Sequence, residues 1–439
     1  MKNKVLTGLL LVLIGGWGSL SAQSAGSNYA HQVNTLIGTK GVGLTSGYLY
    51  PGATYPYGMV QFTPSYFSKR SGFVINQLSG GGCEHMGNFP TFPVKGKLKM
   101  SPDNILNYRI NISEEKGHAG YYEAKVQEDI HAKLTVTERT GMASYEYPAD
   151  QQYGTVIIGG GISATPIEQA AIVITAPNKC EGYAEGGNFC GLRTPYKVYF
   201  VAEFDTDALE SGTWKRDELK PNTTFAEGEY SGVYFTFDVN KKKNIQYKIG
   251  VSYVSVENAR ENLKAENTGW DFLQIQNQAE SKWNHYLGKI EVEGTNLDRT
   301  TQFYTHLYRS FIHPNVCSDV NGEYMGADFK VHKSRSKHYT SFSNWDTYRT
   351  QIQLLSILDP EVASDIVISH QLFAEEAGGA FPRWVMANIE TGVMQGDPTP
   401  ILISNAYAFG ARNYDPKPIF KTMRKGAEEP GAMSQEVEA

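Results

Sequence analysis

One stretch in the second half of the chain, SNWDTYRT at 343–350, concentrates side chains that could hold a sugar. Trp345 and Tyr348 flank Asp346, and an apolar run typical of a helix follows, so that a helix is expected over 344–358. A carboxylate can accept hydrogen bonds from two hydroxyl groups, while an aromatic ring covers the apolar face of a pyranose. A carbohydrate pocket is therefore one interpretation of this stretch.

Helix capping is the other interpretation of Asp346. With Ser343 as N-cap, Asp346 falls at the third helical position, from which its carboxylate could reach back to a backbone N–H as in a capping box. Spacing alone favours capping, and the aromatic neighbours favour a ligand role. Both roles remain open, because a carboxylate offers about four acceptor sites.

A glycine-rich stretch, GGGCEHMGN at 80–88, contains a second candidate acid and base. Glu84 and His85 could form the catalytic pair of an exported enzyme of another kind, or could lie in an ordinary loop at a sheet edge. A phosphate-binding loop is not expected here, since no Lys-Ser/Thr pair follows the glycines.

A third stretch, YLYPGATYPYG at 48–58, interleaves aromatic residues with Pro and Gly. Its simplest interpretation is a turn between strands. The functional alternative is an aromatic loop that reaches over the pocket of a neighbouring domain.

The cysteines and histidines give weaker signals. Cys180 and Cys190 flank a glycine-rich segment that we interpret as a loop, which predicts a disulfide between them, while Cys83 and Cys317 are predicted to be buried free thiols. The histidines show no metal-binding pattern, and no cysteine has zinc spacing, so no metal site is predicted from these residues. No G-x-S-x-G motif of a serine hydrolase occurs either.

The elements that must position these groups change character along the chain. Residues 28–255 contain alternating runs such as YKVYFVAEF and IQYKIGVSYVSV, separated by turns, which predicts an antiparallel β-sandwich. A polar helical segment over 256–295 predicts a linker. From 296 to 439 the pattern is helical, with about five helices, and Asp-Pro pairs such as Asp359-Pro360 mark their starts.

Composition and the N-terminus restrict the function further. The net charge of −6 provides no basic surface for nucleic acid. Residues 1–22 combine two lysines, a short apolar run and small residues, which predicts a cleaved signal peptide and an exported protein, periplasmic or secreted. No lipid-anchor cysteine follows it, and no other segment is long enough to span a membrane.

Three stretches together carry a resemblance to a known family. YPGATYPYGMVQFTP, LSGGGCEHMGNFP and SNWDTYRTQIQLLSILDPE resemble the N-terminal half of glycoside hydrolase family 92, and FCGLRTPYKVYFVAEF and FYTHLYRSFIHPN are similar to that family as well. The resemblance covers most of residues 28–415. It implies an exported, calcium-dependent, inverting exo-α-mannosidase with a β-sandwich, a helical linker and an (α/α)6 barrel.

The resemblance also implies roles for particular residues. Asp346 and Trp345 are expected to bind the terminal mannose of a glycan, and Tyr50, Pro51, Gly52 and Ala53 to contribute the sandwich's side of the same pocket. Asp397 of the GVMQGDPTP stretch matches a family motif, although its position before Pro398 favours an N-cap.

The expected catalytic residues do not occur in these 439 residues. An inverting glycosidase needs two carboxyl groups, and the family resemblance implies that both, with the main Ca²⁺ ligands, lie beyond Ala439. We therefore expect a truncated, inactive chain that contains only the first part of the barrel. The alternative is a non-catalytic protein that binds mannosides or other glycans.

Overall fold

Two antiparallel sheets packed face to face form the N-terminal part of the molecule, in a computed structural model that describes residues 28–40, 47–65, 72–105 and 111–428. The predicted signal peptide lies outside the described residues. In chain order the strands of the two sheets are β1 Ala53–Thr54, β2 Gln61–Pro64, β3 Phe73–Val74, β4 Thr91–Lys95, β5 Ile112–His118, β6 Tyr121–Val126, β7 Ile130–Val136, β8 Thr140–Glu146, β9 Tyr153–Gly159, β10 Ile167–Ala176, β11 Lys179–Phe189, β12 Leu192–Phe204, β13 Glu210–Lys215, β14 Glu218–Pro221, β15 Phe225–Glu227, β16 Ser231–Asp238 and β17 Asn244–Ser252.

The strand order shows how the two layers are built. One sheet has the order β1-β2-β3-β4-β9-β16-β13-β14, and the other has the order β15-β10-β11-β12-β17-β8-β7-β6-β5. Alternating apolar residues predicted these strands correctly: Val198, Phe200 and Ala202 on β12 are buried in the core between the sheets. Rings from opposite sheets meet there, as in the pair Phe204 and Phe235, whose centroids are 4.9 Å apart. The predicted sandwich is confirmed.

Helices follow the last strand of the sandwich. They are α2 Val256–Glu266, α3 Phe272–Leu287, α4 Leu297–Ser310, α5 Asn344–Thr347, α6 Gln351–Leu358, α7 Pro360–Glu376, α8 Pro398–Phe409 and α9 Pro416–Glu428, after a single turn α1 Pro102–Ile105 and a 3-10 turn Tyr29–Gln32 near the start of the chain. Three two-stranded ribbons lie among them: β18 Asn315–Val316 with β21 Tyr339–Thr340, β19 Glu323–Met325 with β20 Val331–Lys333, and β22 Val385–Met386 with β23 Ile389–Glu390. The helix that begins after Asp359 is capped as predicted, because the Asp359 carboxylate accepts a hydrogen bond from the Val362 N–H.

The helices α2 and α3 fasten the sandwich to the later helices. On α3 the indole of Trp283 is fully buried and donates a hydrogen bond of 2.7 Å to the carbonyl of Thr54 on β1. On its other side the ring packs against Tyr308 of α4, with centroids 4.5 Å apart. One side chain therefore contacts both the sandwich and the helical region, which fixes their relative position.

The predicted continuous helix over 344–358 is wrong, because α5 ends after one turn and α6 starts again at Gln351. Thr350 between them has φ −145° and ψ −33°, outside the helical region. The carbonyl of Tyr348 accepts hydrogen bonds from side chains instead, at 3.0 Å from Gln353 and 3.3 Å from Asn405. This break separates the turn that carries Asp346 from α6.

Candidate functional site

A cavity of about 660 Å³ lies where the ends of two sandwich loops meet the helices, and we call it the junction cavity. Its volume is in the range of sites that bind small molecules. The residues that line it are Leu78–Cys83, Phe189, Cys190, Arg309, Ser310, His313, Pro314, Ser341–Asn344, Asp346, Thr347, Gln351, Ile352, Leu355, Ile366, His370, Trp384, Met394 and Leu402.

Asp346 lies in the cavity wall, but it does not cap the helix in the predicted way. The carboxylate of Asp346 accepts a hydrogen bond from the hydroxyl of Ser343. No backbone N–H of α5 is bonded by the Ser343 side chain. Asp346 is exposed, so most of its acceptor capacity faces open space. The carboxylate therefore retains acceptor capacity that a ligand in the cavity could use.

Trp345 has a different environment from Asp346. Its ring is half-buried, is not among the residues that line the junction cavity, and has the guanidinium of Arg349 5.6 Å from its centroid. The tryptophan in the cavity wall is Trp384, which sequence reasoning missed. Its ring lies 4.5 Å from that of Phe189 at the end of β11, so these two rings form one apolar surface across the junction.

Tyr50, Pro51, Gly52 and Ala53 lie behind the cavity wall and do not line it. All four are buried, and the carbonyl of Tyr50 accepts a hydrogen bond of 3.1 Å from Arg309, which does line the cavity. A Cβ on Gly52 would lie 2.3 Å from the backbone of Thr63, so only glycine fits beside β2. In this structure the loop supports Arg309, which is an indirect contribution to the cavity rather than the predicted contact.

The disulfide joins Cys83 to Cys190, and the predicted pairing of Cys180 with Cys190 is wrong. The segment between Cys180 and Cys190 is the extended strand β11, which separates its two ends by about 30 Å at roughly 3.3 Å per residue. Cys180 is a buried free thiol, as is Cys317. The bond that forms instead ties the 78–83 loop to the β11–β12 turn, and both segments line the junction cavity.

Glu84 and His85 do not form an acid/base pair in the cavity. The His85 ring is fully buried, with Nε2 accepting from the Leu78 N–H at 2.9 Å and Nδ1 placed 2.6 Å from the Cys83 carbonyl. Burial lowers the pKa of His85 to about 4, so the ring is neutral at pH 7. Glu84 is exposed and lies outside the cavity lining. His85 therefore shapes the 78–83 loop rather than transferring protons.

Two further neutral histidines lie in the helical wall of the cavity. Burial lowers the pKa of both His313 and His370 to about 4. His313 Nε2 accepts from the Ser79 N–H at 2.8 Å, which connects the sandwich loop to the helical region. His370 Nε2 lies 2.8 Å from the side-chain nitrogen of Asn344, at the start of α5. Both rings hold the wall in place, and within the described ranges neither has a carboxylate partner that would make it a strong base.

The charged side chains of the cavity lining are Arg309 and Asp346. The hydrogen bonds of Arg309 go to backbone carbonyls, at 2.7 Å for Thr35 and 3.1 Å for Tyr50. Asp346 is therefore the single carboxylate that the described residues place in the lining. One carboxylate is too few for an inverting glycosidase, which needs two. Ca²⁺ takes 6–8 oxygen ligands, so this lining would have to supply nearly all of them from neutral oxygens. The lining residues by themselves therefore do not fit a calcium site.

Asp397 of the GVMQGDPTP stretch is the N-cap of α8, with Pro398 at the first helical position. Its side chain makes no capping hydrogen bond. Burial raises the pKa of Asp397, which the nearby Arg383 opposes. It is not among the residues that line the junction cavity.

No helix in the described ranges has both the length and the apolar character required to cross a lipid bilayer.

Comparison with known proteins gives a consistent picture. Residues 32–252 match the model of the glycosyl hydrolase family 92 N-terminal domain, and residues 258–438 match the model of the family's catalytic domain. An uncharacterised secreted glycosidase from Arthroderma benhamiae is 26% identical over 361 residues, covering 73% of this chain and 45% of the relative.

Solved structures show the same fold. A family 92 α-mannosidase from Bacteroides thetaiotaomicron superposes with a TM-score of 0.84 at 24% identity, over 92% of this chain and 57% of that chain. An inverting family 92 mannosidase from the same bacterium gives a TM-score of 0.80 at 24% identity, over 92% of this chain and 56% of that chain. This chain thus spans about half the length of the proteins that it resembles. The two family models together cover the sandwich and the helices described above, and the chain belongs to glycosyl hydrolase family 92.

Proposed function

We propose that this protein acts in the removal of terminal α-mannose from glycans outside the cytoplasm. The observation that carries the proposal is the junction cavity, whose lining contains both the exposed carboxylate of Asp346 and the apolar surface formed by Trp384 and Phe189. Hydroxyl groups can bond to the carboxylate while C–H groups of the sugar contact the rings. The family 92 α-mannosidase from Bacteroides thetaiotaomicron that superposes on this chain has also been solved in complex with mannoimidazole.

In this proposal the 439-residue chain binds a mannoside and does not hydrolyse it by itself. The cavity lining contains one carboxylate, whereas inversion requires an acid and a base about 6.5–9.5 Å apart. We infer that α4 and α6–α9 belong to an (α/α)6 barrel and that further carboxylates and Ca²⁺ ligands come from residues other than those that line the cavity here. Calcium dependence and export both belong to this proposal; the signal peptide predicted at 1–22 and the secreted relative support export.

A non-catalytic glycan-binding protein is the second candidate, and the single carboxylate in the cavity is the observation that favours it. Both candidates expect mannoside binding at Asp346, and they differ in whether turnover appears. Mannose release from an aryl α-mannoside or a mannobiose, with Ca²⁺ and with a chelator, distinguishes them. Robust calcium-dependent turnover by this chain would contradict our view that its catalytic pair is incomplete.

The binding test is calorimetric titration with methyl α-mannoside. Asp346→Asn keeps the shape of the side chain and removes its charge, and we expect it to weaken binding by about tenfold, the loss of roughly one charge-assisted hydrogen bond. Asp298→Asn, an exposed substitution in the first turn of α4, is the matched control and should leave the affinity unchanged. Equal affinity of the parent protein and Asp346→Asn would remove Asp346 from the proposed site.

A further inference from the structure

Three metal-ligating side chains from distant parts of the chain converge on the surface away from the junction cavity. His31 lies in the 3-10 turn, His118 ends β5 and Glu280 lies on α3. His31 Nε2 is 3.2 Å from one oxygen of the Glu280 carboxylate, and His118 Nε2 is 2.8 Å from the other. Candidate ligand atoms of all three residues lie within 4.8 Å of one another.

The geometry of this group is close to that of a bound zinc ion. Zn–N bonds of about 2.0–2.1 Å and Zn–O bonds of about 2.0–2.2 Å place tetrahedral ligand atoms roughly 3.3 Å apart. The two imidazole rings stack with centroids 4.0 Å apart and an interplanar angle of 27°. Both Nε2 atoms lie within hydrogen-bond distance of the same carboxylate, and an ion between the three groups would take the place of those two contacts.

Charge and accessibility also suit a cation. The Glu280 carboxylate supplies a negative charge at neutral pH, and Gln276 orients it through a hydrogen bond of 2.7 Å. The side chain of His31 is 48% exposed, against 12% for Glu280, which gives an ion access from solvent and leaves room for a water ligand.

We propose that His31, His118 and Glu280 form a Zn²⁺ site that fastens the N-terminal turn and the end of β5 to helix α3. Two imidazoles and one carboxylate are ligands that Zn²⁺ accepts readily, whereas Ca²⁺ prefers a shell of oxygens. The ion would strengthen a contact that already exists, since the Ala30 N–H donates to the Asn284 side chain of α3 at 2.8 Å. The expectation of no metal-binding histidines missed this group because 249 residues separate His31 from Glu280.

A neighbouring pair on the same sheet lacks these features and supplies a matched control. His131 Nε2 lies 3.2 Å from the Glu123 carboxylate, and the ammonium of Lys116 lies 3.4 Å from the other oxygen of that carboxylate. One imidazole with an ammonium group opposite is a poor cation site, because the lysine charge repels the ion.

The experiment is titration of the metal-stripped full chain with ZnCl₂ in excess Ca²⁺, so that any calcium site is saturated. We expect one Zn²⁺ per chain, with affinity at least about tenfold weaker in His118→Asn and Glu280→Gln and unchanged in His131→Asn. Zn²⁺ should also raise the melting temperature of the parent protein and of His131→Asn, but not that of the two ligand variants.

A second measurement does not depend on how the variants fold. Co²⁺ bound to the parent protein in place of Zn²⁺ should give the visible absorption of a tetrahedral site, which added Zn²⁺ abolishes. The proposal is wrong if the parent protein binds no Zn²⁺, if bound Co²⁺ shows no such absorption, or if His131→Asn weakens binding as much as His118→Asn. These outcomes do not depend on mannoside binding at Asp346.

Discussion

The two walls of the junction cavity differ in what they contribute. The sandwich wall, Leu78–Cys83 with Phe189 and Cys190, presents backbone, one aromatic ring and a disulfide, and none of its side chains is charged. The helical wall presents Arg309 and Asp346, together with neutral histidines. The sandwich therefore gives the cavity its shape, while the helices supply the groups that can bond to a ligand. Substitutions on the two walls should accordingly differ in their effects.

The largest effect is expected at the contact between the walls. Trp384→Ala removes a ring that is 5% exposed and packs on Phe189, and large-to-small changes of this kind cost about 3–5 kcal/mol. Trp345→Ala removes a half-buried ring outside the cavity and should lower the free energy of unfolding much less. Urea unfolding of both variants measures the difference. Equal losses would mean that the Trp384–Phe189 contact does not hold the walls together.

The next effect concerns the sandwich wall alone. Replacing both Cys83 and Cys190 by Ser removes a disulfide between residues that are 107 positions apart. Loss of such a disulfide typically lowers the free energy of unfolding by about 2–4 kcal/mol. Non-reducing peptide mapping should find Cys83 linked to Cys190 and no other pair.

The control for the crosslink is the thiol of Cys180. It is buried and free, so Cys180→Ala should leave the stabilising effect of oxidation intact. A peptide that links Cys180 to Cys190 would contradict the structure and restore the pairing that the sequence suggested.

The third prediction is a pH dependence of stability. His85 and His370 are fully buried, and burial lowers the pKa of each to about 4, against about 6.5 in the unfolded chain. Between these values the unfolded state binds more protons, so the free energy of unfolding falls as the pH drops from about 6.5 to about 4. Above a pH of about 6.5, these two histidines add no pH dependence to the free energy of unfolding.

The measurement is urea unfolding at several pH values. His370→Gln removes one of the titrating groups, so its free energy of unfolding should fall less steeply with decreasing pH than that of the parent protein. Each histidine should contribute about 1 kcal/mol or more to this decrease in the free energy of unfolding. A slope that His370→Gln leaves unchanged would mean that His370 is not the buried neutral ring described here.

The smallest effect on stability is expected on the helical side away from the cavity. Phe420 on α9 is 63% exposed, and Phe409 on α8 is 46% exposed. Phe420→Ser should change the free energy of unfolding by less than about 0.5 kcal/mol. It should still reduce self-association, because exposed apolar patches promote aggregation. Light scattering of the parent protein and the variant, at matched concentration, tests this, and identical scattering would count against it.

The fold followed from local patterns to a large degree. The strand β17 was recognisable because Ile245, Tyr247 and Ile249 alternate with more polar residues, and such alternation needs no knowledge of the partner strand. The start of α7 was recognisable from Asp359-Pro360, because an N-cap followed by proline is also a local signal that needs no distant contact. The break between α5 and α6 was not recognisable, and one of the two side chains that bond to the Tyr348 carbonyl there, Asn405, is distant in sequence.

The candidate site was predicted only in part. Asp346 was identified from its neighbours in sequence, and the structure places it in the cavity wall. Trp384 was missed because its role depends on Phe189, a residue of the other domain. Arg309 lies in FYTHLYRSFIHPN, a stretch that carries the family resemblance, and this was the signal that could have found it.

The sequence by itself determined the local elements and the chemistry available to this protein. These predictions rest on short-range features of the sequence. Alternation with a period of two predicts strands, Asp-Pro pairs predict helix starts, and the Trp-Asp pair predicts a group that can bind a ligand. Only the tertiary structure decided which cysteine bonds to Cys190 and which histidines approach Glu280. Those choices depend on contacts between residues more than a hundred positions apart, and the packing of sheets and helices sets such distances.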